Sequence, residues 1–368
     1  MKNTIRVGIL FGGQSAEHEV SLQSAKNIIE AIDRHKYEVV LLGIDKTGGW
    51  HLQDAEKYLL HADDPQRIRL NVTSESLAVV PERRPHKFVT LSGDQSVGPI
   101  DVIFPILHGP YGEDGTVQGL LKLADIPFVG AGVVGSAVGM DKDVMKRLLR
   151  DAGIPIAKFL VLDRRTSSRP DFKAICELLG RPCFVKPANL GSSVGVSKVT
   201  TEEGYHQAVD EAFRYDRKVL IEEGIEGREI ECAVLGNDAP IASLPGEVVT
   251  NTAKHQFYSY QAKYIDEAGA ELGIPADLPE HVTEAVQELA IKTFQVLCCE
   301  GMARIDCFLT PDQRILINEL NSIPGFTKIS MYPKLWEASG ISYPDLIDRL
   351  IQLALERAEQ EKTLATSY

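Results

Sequence analysis

Arg304, Asp306, Glu319 and Asn321 are the residues of this 368-residue chain whose types and spacing most plainly allow chemistry. They lie in GMARIDCFLTPDQRILINELNSIPGFTKISM, residues 301–331. β-Branched and aromatic residues predict strands over 303–309 and 314–320, and Pro311 and Asp312 suit a turn between them. With that turn centred between Asp312 and Gln313, Asp306 faces Glu319 and Arg304 faces Asn321. Residues two apart in a strand share a face, as do directly opposed partners, so these four form one polar patch. Two carboxylates with Cβ atoms about 5 Å apart repel unless a cation or a shared proton lies between them. Carboxylate and amide oxygens suit Mg²⁺, whose shell is usually completed by substrate phosphates. A salt bridge from Arg304 to one acid would leave the second acid and Asn321 without a role. The loop 322–327 follows with Gly325, and its N–H groups could approach an anion. The patch reads as a metal–nucleotide site.

The elements that must position these residues begin with an apolar run over 5–11, ending at Gly12-Gly13. Residues 15–21 lead into an amphipathic helix to about Asp33, and 38–44 is a second strand, a βαβ opening that implies a parallel sheet. The loop GGQSAEHEVS is not G-x-G-x-x-G, which counts against a dinucleotide site. Glu17 and Glu19 either complement the helix dipole or face a ligand. Residues 45–98 are polar and turn-rich, with a strand at 77–80, and read as an elaboration of the first domain. A strand over 101–107 delivers the glycine-rich loop His108–Thr116 and a helix over 117–124. Open α/β sheets place ligands at such a strand end, while His108 is equally open to a structural role.

Residues 128–138 are small and glycine-rich and read as a hinge. The helix over 141–152 carries Lys142 in its first turn, where the dipole disfavours a cation, so this lysine faces either an anion or solvent. A strand over 182–187 bears Lys186, and the loop 188–195, with Gly191, Ser192 and Ser193, could close over phosphates. The P-loop pattern is absent. A strand over 218–223 ends in Glu222 and Glu223, and a second covers 228–235. Gly224 and Gly227 between them suggest a hinge beside which an adenine could lie. The stretch NTAKHQFYSYQAKYID, with Lys263 and Tyr264, is either an active-site lid or a surface excursion. Helices over 278–297 and 343–359 carry apolar stripes that read as core.

The length allows two or three domains with real cores. Hydrophobic residues at 44% and charged ones at 25% are those of an ordinary globular protein. A net charge of −13 argues against nucleic acid or an anionic membrane as partner. Six cysteines show neither C-x-x-C nor zinc spacing, which fits a reducing cytosol. The first eleven residues hold only a short apolar run without a cleavage site, so a cytoplasmic protein is expected.

The pieces GGQSAEHEVSLQSA, HGPYGEDGT, MDKDVMKRLL, VKPANLGSSVGVSKV, EGREIECAVLGN, AKYID, ARIDCFL and INELNSIPGFTKISMYPKLW resemble, in order and spacing, the motifs of the D-alanine–D-alanine ligases in the ATP-grasp superfamily. The likeness covers nearly the whole chain. It implies an α/β protein, α+β in its ATP-binding part: an N-terminal open α/β domain over 1–130, a central ATP-grasp subdomain over 131–221 and a C-terminal catalytic domain over 222–368. It also implies ATP-driven joining of two D-alanines through an acyl phosphate, for peptidoglycan synthesis. By that likeness Lys142 and Lys186 hold phosphates under the loop Gly191–Gly195, with Ser192 and Ser193. Glu222 and Glu223 meet the adenine end, and Glu229 meets the ribose. Asp306, Glu319 and Asn321 hold two Mg²⁺, or Mn²⁺ in their place. Arg304 and the Gly325 N–H stabilise the tetrahedral oxyanion, and Glu17 anchors the first D-alanine with His108 nearby. Lys263, Ser330 and the Met331 backbone take the second carboxylate, and Lys263 also touches the nucleotide. Tyr264 closes a chain with Ser192 and Glu17. The same likeness implies a homodimer. Making D-alanyl-D-lactate is the alternative. An NAD-dependent dehydrogenase is disfavoured by the missing fingerprint, and a non-catalytic nucleotide sensor by the full set of charged residues.

Overall fold

In the computed structural model, the described residues are 4–72, 75–81, 86–92, 97–165, 169–250 and 270–365. Among them, the N-terminal part builds on β1 (Ile5–Gly12), flanked by β2 (Tyr37–Ile44) and β4 (Val102–Ile106), both parallel to it. β3 (Trp50–Gln53) adds an antiparallel edge, giving the order β3-β2-β1-β4. From Val7 onward β1 is apolar and buried because helices cover both of its faces. Parallel pairing of β1 with β2 requires a crossover, which α1 (His18–Ala31) supplies. At the end of β1 the chain turns at Gly12 with φ 93°, and a Cβ there would lie 2.2 Å from the Ile44 carbonyl oxygen. Only glycine fits.

Two antiparallel sheets follow. The central one has β5 (Phe159–Asp163), β6 (Cys183–Pro187), β7 (Ser197–Val199) and β8 (Lys218–Glu223) in the order β7-β6-β8-β5. α5 (Phe172–Leu179) and α6 (Glu202–Tyr215) bury its far face. The third sheet runs through β9 (Arg228–Gly236), β10 (Gly246–Thr250), β11 (Ala270–Gly273), β12 (Gly301–Leu309) and β13 (Ile315–Asn321), with β12 between β9 and β13. On one of its faces pack α4 (Lys142–Asp151) and α7 (Glu280–Val296). The facing sides of the central and third sheets leave a cleft between them.

Three expectations need adjustment. The stretch read as a hinge, 128–138, contains the start of α3 (Val133–Met140), whose small residues let it pack closely, so it is not loop throughout. β8 crosses the expected boundary at 221/222 intact. Met145, Leu149 and Ile154, expected in the central subdomain, belong to the core of the third sheet. Cores also cross the first boundary. Val7, Phe104 and Leu22 share one cluster with Tyr332 and Trp336 of α8 (Met331–Ala338) and with Leu346 and Leu350 of α9 (Tyr343–Lys362). α2 (Thr116–Leu123) covers the opposite face of the first sheet.

One buried arginine ties this crossing together. Arg357 on α9 donates to the carbonyls of Gly130 and Phe128 at 2.6 and 2.7 Å and pairs with Glu300 at 3.1 Å. Its guanidinium also lies 4.6 Å from the Phe128 ring centroid. Charge-assisted hydrogen bonds to buried carbonyls are each worth about 1.5–3 kcal/mol. Arg357→Met should therefore lower unfolding stability by about 3 kcal/mol while leaving activity per folded molecule within about threefold. Denaturant unfolding beside a steady-state assay checks both halves.

Candidate active site

The hairpin β12–β13 forms as the sequence requires, with one irregularity that matters. Near the turn, Leu309 faces Ile315 and Cys307 faces Ile317. A β-bulge then shifts the register, and beyond it Asp306 faces Glu319 and Arg304 faces Asn321, as expected. The turn itself is one residue shorter than a centre between Asp312 and Gln313 requires, since Leu309 pairs with Ile315 and not Leu316, and β13 starts at Ile315, not Arg314. The bulge restores the pairing by placing Asn318 and Glu319 together on the cleft side.

The neighbours of the patch are more heavily paired than the sequence suggested. Arg304 forks both oxygens of Asp306, at 2.7 Å each, and reaches Glu231 on the adjoining strand at 2.8 Å. Asn321 donates to Asp306 at 3.0 Å. Glu319 pairs with Lys142 at 3.3 Å, so the lysine in the first turn of α4 faces an anion, not solvent. Lys142 also donates to the Leu190 carbonyl at 2.8 Å, which ties α4 to the Gly191–Gly195 loop. The N-cap Asp141 accepts from two N–H groups of that turn and pairs with Lys218, offsetting the unfavourable lysine.

Deeper in the cleft, Glu222 sits between two ammonium groups, Lys186 at 2.5 Å and Lys146 at 2.9 Å. Burial alone would raise the Glu222 carboxyl, but the two lysines outweigh it and hold it below the usual carboxylate range. Burial lowers Lys146, with Glu222 opposing. Lys186 lies 3.5 Å from Asn318. The neighbouring Glu223 turns its carboxylate to the Lys158 N–H at 2.7 Å.

The expected residues gather around two adjoining cavities. The larger, about 280 Å³, is bordered by Lys142, Lys186, Ser193, Glu222, Glu223, Glu229 and Asp306. The smaller is bordered by Glu17, His108, Arg304, Asn321 and Gly325. Gly191, Ser192 and Glu319 border both. Ser192 and Ser193 have φ of 52° and 60°, a strained left-handed pair of a kind that recurs at ligand-gripping loops. The Ser192 hydroxyl donates to Glu17, so Glu17 does more than complement a helix dipole. Ser330, the N-cap of α8, bonds Thr327, and its Oγ would lie 2.7 Å from a Cβ at Gly325, so only glycine lets these two approach. Met331 is set apart: its side chain is buried in the core, leaving only its backbone for any ligand. Lys263 and Tyr264 lie outside the described residues.

Asp306, Glu319 and Asn321 offer hard oxygen donors, a set that fits Mg²⁺ or Mn²⁺. Among the described residues no three or more His, Cys, Asp or Glu side chains cluster as a metal cage, so ligand oxygens would have to complete the shell.

Four contributors escaped the sequence reading: Glu231, Lys146, Asn318 and Glu113. Lys146 had a visible signal, since it sits beside Met145 and Leu149 on the buried side of α4 and four residues after Lys142. Glu113, in the loop after β4, accepts from the N–H groups of Gly109 at 2.7 Å and Ile323 at 3.1 Å. Burial, then the nearby Glu17 charge, pushes its carboxyl up to about 8. His108 is buried and shifted down to about 4 by burial, so it is neutral at pH 7. Its Nδ1 meets the Ile323 carbonyl at 3.0 Å, which satisfies the structural reading even as the ring borders the small cavity.

Glu113 gives a pH signature with a definite sign. Its carboxyl is raised in the folded state to about 8 from its ordinary value of 4.5, so between those values the folded chain binds the extra proton. Its contribution to stability is full below about pH 4.5 and is lost as pH rises towards about 8. Unfolding free energy measured from pH 5 to 9 should fall less steeply in Glu113→Gln than in wild type. Parallel curves would show that Glu113 is ionised throughout.

Two family models match the chain: "D-ala D-ala ligase N-terminus" over residues 6–131 and "D-ala D-ala ligase C-terminus" over 148–352. Among curated relatives, the D-alanine–D-alanine ligase of Shouchella clausii is 56% identical over 362 residues, covering 98% of each chain. D-alanine–D-alanine ligase A of Escherichia coli K12 is 56% identical over 363 residues, covering 99% of each. Among solved structures, the D-alanine–D-alanine ligase of Coxiella burnetii superposes with a TM-score of 0.86 at 41% identity, covering 98% of this chain and 96% of that one. The VanG D-Ala:D-Ser ligase of Enterococcus faecalis gives 0.81 at 34%, covering 96% and 100%. An open α/β domain followed by two antiparallel sheets around a charged cleft is the ATP-grasp architecture these structures share. With both family models matched and such likeness across its length, the chain belongs to the D-alanine–D-alanine ligase family.

Proposed function

We propose that the chain joins two molecules of D-alanine, at the expense of ATP, into D-alanyl-D-alanine for peptidoglycan synthesis. The observation that carries the reading is the convergence of Lys142, Lys186, Asp306 and Glu319 on one cleft, with Arg304 and Gly325 at its inner end. The family's own name supports the substrate.

The chemistry runs in two steps. A D-alanine carboxylate oxygen attacks the γ-phosphorus of ATP, and ADP leaves with the bridging oxygen. The amine of a second D-alanine then attacks the acyl phosphate carbon, the resulting tetrahedral intermediate expels phosphate, and the amine loses its proton. Lys142 and Lys186 would hold phosphate oxygens, with the Gly191–Gly195 loop above them. Glu222 and Glu223 would lie towards the adenine and Glu229 towards the ribose. Arg304 and the Gly325 N–H would take the oxyanion, charge that exists only once the carbonyl has been attacked. Glu17 would hold the first ammonium beside His108. Ser330, the Met331 backbone and Lys263 would take the second carboxylate, and Tyr264 would join Ser192 and Glu17. Asp306, Glu319 and Asn321 would hold Mg²⁺, two ions by the family likeness, and such ions neutralise charge on a transferring phosphoryl group. The same reading includes a cytoplasmic enzyme, a homodimer and three domains, the first ending near 130 and the second ending after β8 at Glu223.

Phosphate release from ATP should depend strictly on D-alanine, and the product should have the mass of the dipeptide. Phosphate release without D-alanine would overturn the reading, and a preference for D-lactate in a mixed assay would turn it to the ester alternative. Replacing Glu319 with Gln should slow Mg²⁺-dependent phosphoryl transfer by about 10²-fold, roughly 3 kcal/mol of transition-state stabilisation. An unchanged rate with unchanged Mg²⁺ dependence would take the hairpin out of the active site. Arg304→Lys keeps the charge but loses the planar fork, and should lower kcat far more than it raises the ATP KM.

A further inference from the structure

The loop 322–327 is gripped by the other end of the chain as well as by Ser330 and Tyr343 nearby. Phe326 N–H donates to Ser24 Oγ at 3.1 Å, and Ser24 in turn lies 3.4 Å from His108 Nε2. His108 Nδ1 is 3.0 Å from the Ile323 carbonyl, so that nitrogen carries the proton. Nε2 is then left to accept the Ser24 hydroxyl, and the circuit is closed with every donor and acceptor used. Outside this circuit stands a second pair. Glu113 accepts the Ile323 N–H at 3.1 Å, and Asn27 donates to the Phe326 carbonyl at 3.0 Å, joined there by the Tyr343 hydroxyl at 2.8 Å.

We infer that Ser24, Asn27, His108 and Glu113 are positioning residues that aim the Gly325 N–H. The inference rests on the reading of that N–H as an oxyanion donor. The Gly325 N–H belongs to the peptide between Pro324 and Gly325. The peptide before it is held through the Ile323 carbonyl, and the peptide after it through the Phe326 N–H. Proline fixes one of the intervening torsions, and glycine alone would leave the others nearly free. Without the two flanking anchors, the N–H could rotate away from a developing negative charge. An oxyanion donor works because it does not have to reorganise during the reaction. The anchors also come from a meaningful place. Ser24 and Asn27 lie on α1, directly after Glu17, whose carboxylate borders the same small cavity. One helix therefore links the first amino-acid subsite to the oxyanion donor.

The test separates the two chemical steps. Acyl phosphate formation is read by scrambling of an oxygen label between the β–γ bridge and the β-nonbridging positions of ATP, with D-alanine present. Peptide formation is read by product, and oxyanion complementarity by inhibition with a phosphinate analogue of D-alanyl-D-alanine. Asn27→Asp is nearly isosteric but points a carboxylate at the Phe326 carbonyl. It should leave label scrambling and the ATP KM within about threefold, yet slow peptide formation about 30-fold and weaken the phosphinate at least about tenfold. Asn27→Ala, which only removes one donor, should show the same split at about fivefold. Ser24→Ala should behave like Asn27→Asp. If scrambling and peptide formation fall together, in step with a lower melting temperature, the residues merely stabilise the fold and the inference fails. It fails equally if neither step changes in either Asn27 variant. If the phosphinate binds wild type no more tightly than D-alanine does, the oxyanion reading itself is what has failed.

Discussion

Buried charge in the cleft between the two antiparallel sheets is the constraint that the rest of the site depends on. Lys142, Lys146, Lys186 and Arg304 stand against Glu222, Glu231, Asp306 and Glu319, and most of these side chains are largely shielded from water. Removing an ion from water costs several kcal/mol, so each must have a partner at close range. The partners come from different elements: α4 answers β8 and β13, β6 answers β8, and β9 answers β12. Correct packing of the sheets and correct pairing of the charges are therefore one requirement. A phosphate chain entering such a cleft competes for the lysines, and every lysine it takes leaves a carboxylate in need of a cation. That is a physical reason for a magnesium nucleotide, not a bare one, to fit this arrangement.

How much of this could be read from the sequence depended on the range of the interaction. The hairpin was legible because strand alternation and a turn are local, and Arg304, Asp306, Glu319 and Asn321 do share a face. Its bulge was harder to see. The apolar spacing lengthens from two residues, between Ile315 and Ile317, to three, between Ile317 and Leu320, and that change is the mark of an extra residue. Glu231 carried no such mark, since its link to Arg304 arises only when β9 pairs with β12. The same holds for Glu113, whose partner Ile323 is 210 residues away. Residues 131–154 were assigned to the central subdomain because chain order was the only guide, whereas burial sends them to the third sheet.

Expectations that left two roles open were resolved by the company each residue keeps. Lys142 was poised between solvent and an anion, and it faces Glu319. Glu17 was poised between the helix dipole and a contact in the site, and it accepts from Ser192 across 175 residues. In both cases the local cost is visible. A lysine in the first turn of a helix and a serine with positive φ each oppose a local preference, and both lie at the cleft.

The N-terminal domain does more than line one side of the small cavity. Its sheet shares a core with α8 and α9 of the distant C-terminal part, and Arg357 locks α9 to the carbonyls of Phe128 and Gly130. This places α1 rigidly enough for Ser24 and Asn27 to hold a loop about 300 residues further on, at hydrogen-bond distance. Hydrogen bonds of this kind are worth only about 1 kcal/mol each, too little to assemble the domains. The shared hydrophobic core does that, and the polar contacts then specify orientation. The division of labour explains why the precise contacts use neutral groups, an amide, a hydroxyl and an imidazole kept uncharged by burial. A charged anchor beside the proposed oxyanion site would add a field of its own, whereas a neutral one fixes geometry and leaves the electrostatics to Arg304 and the Gly325 N–H, the donors proposed there.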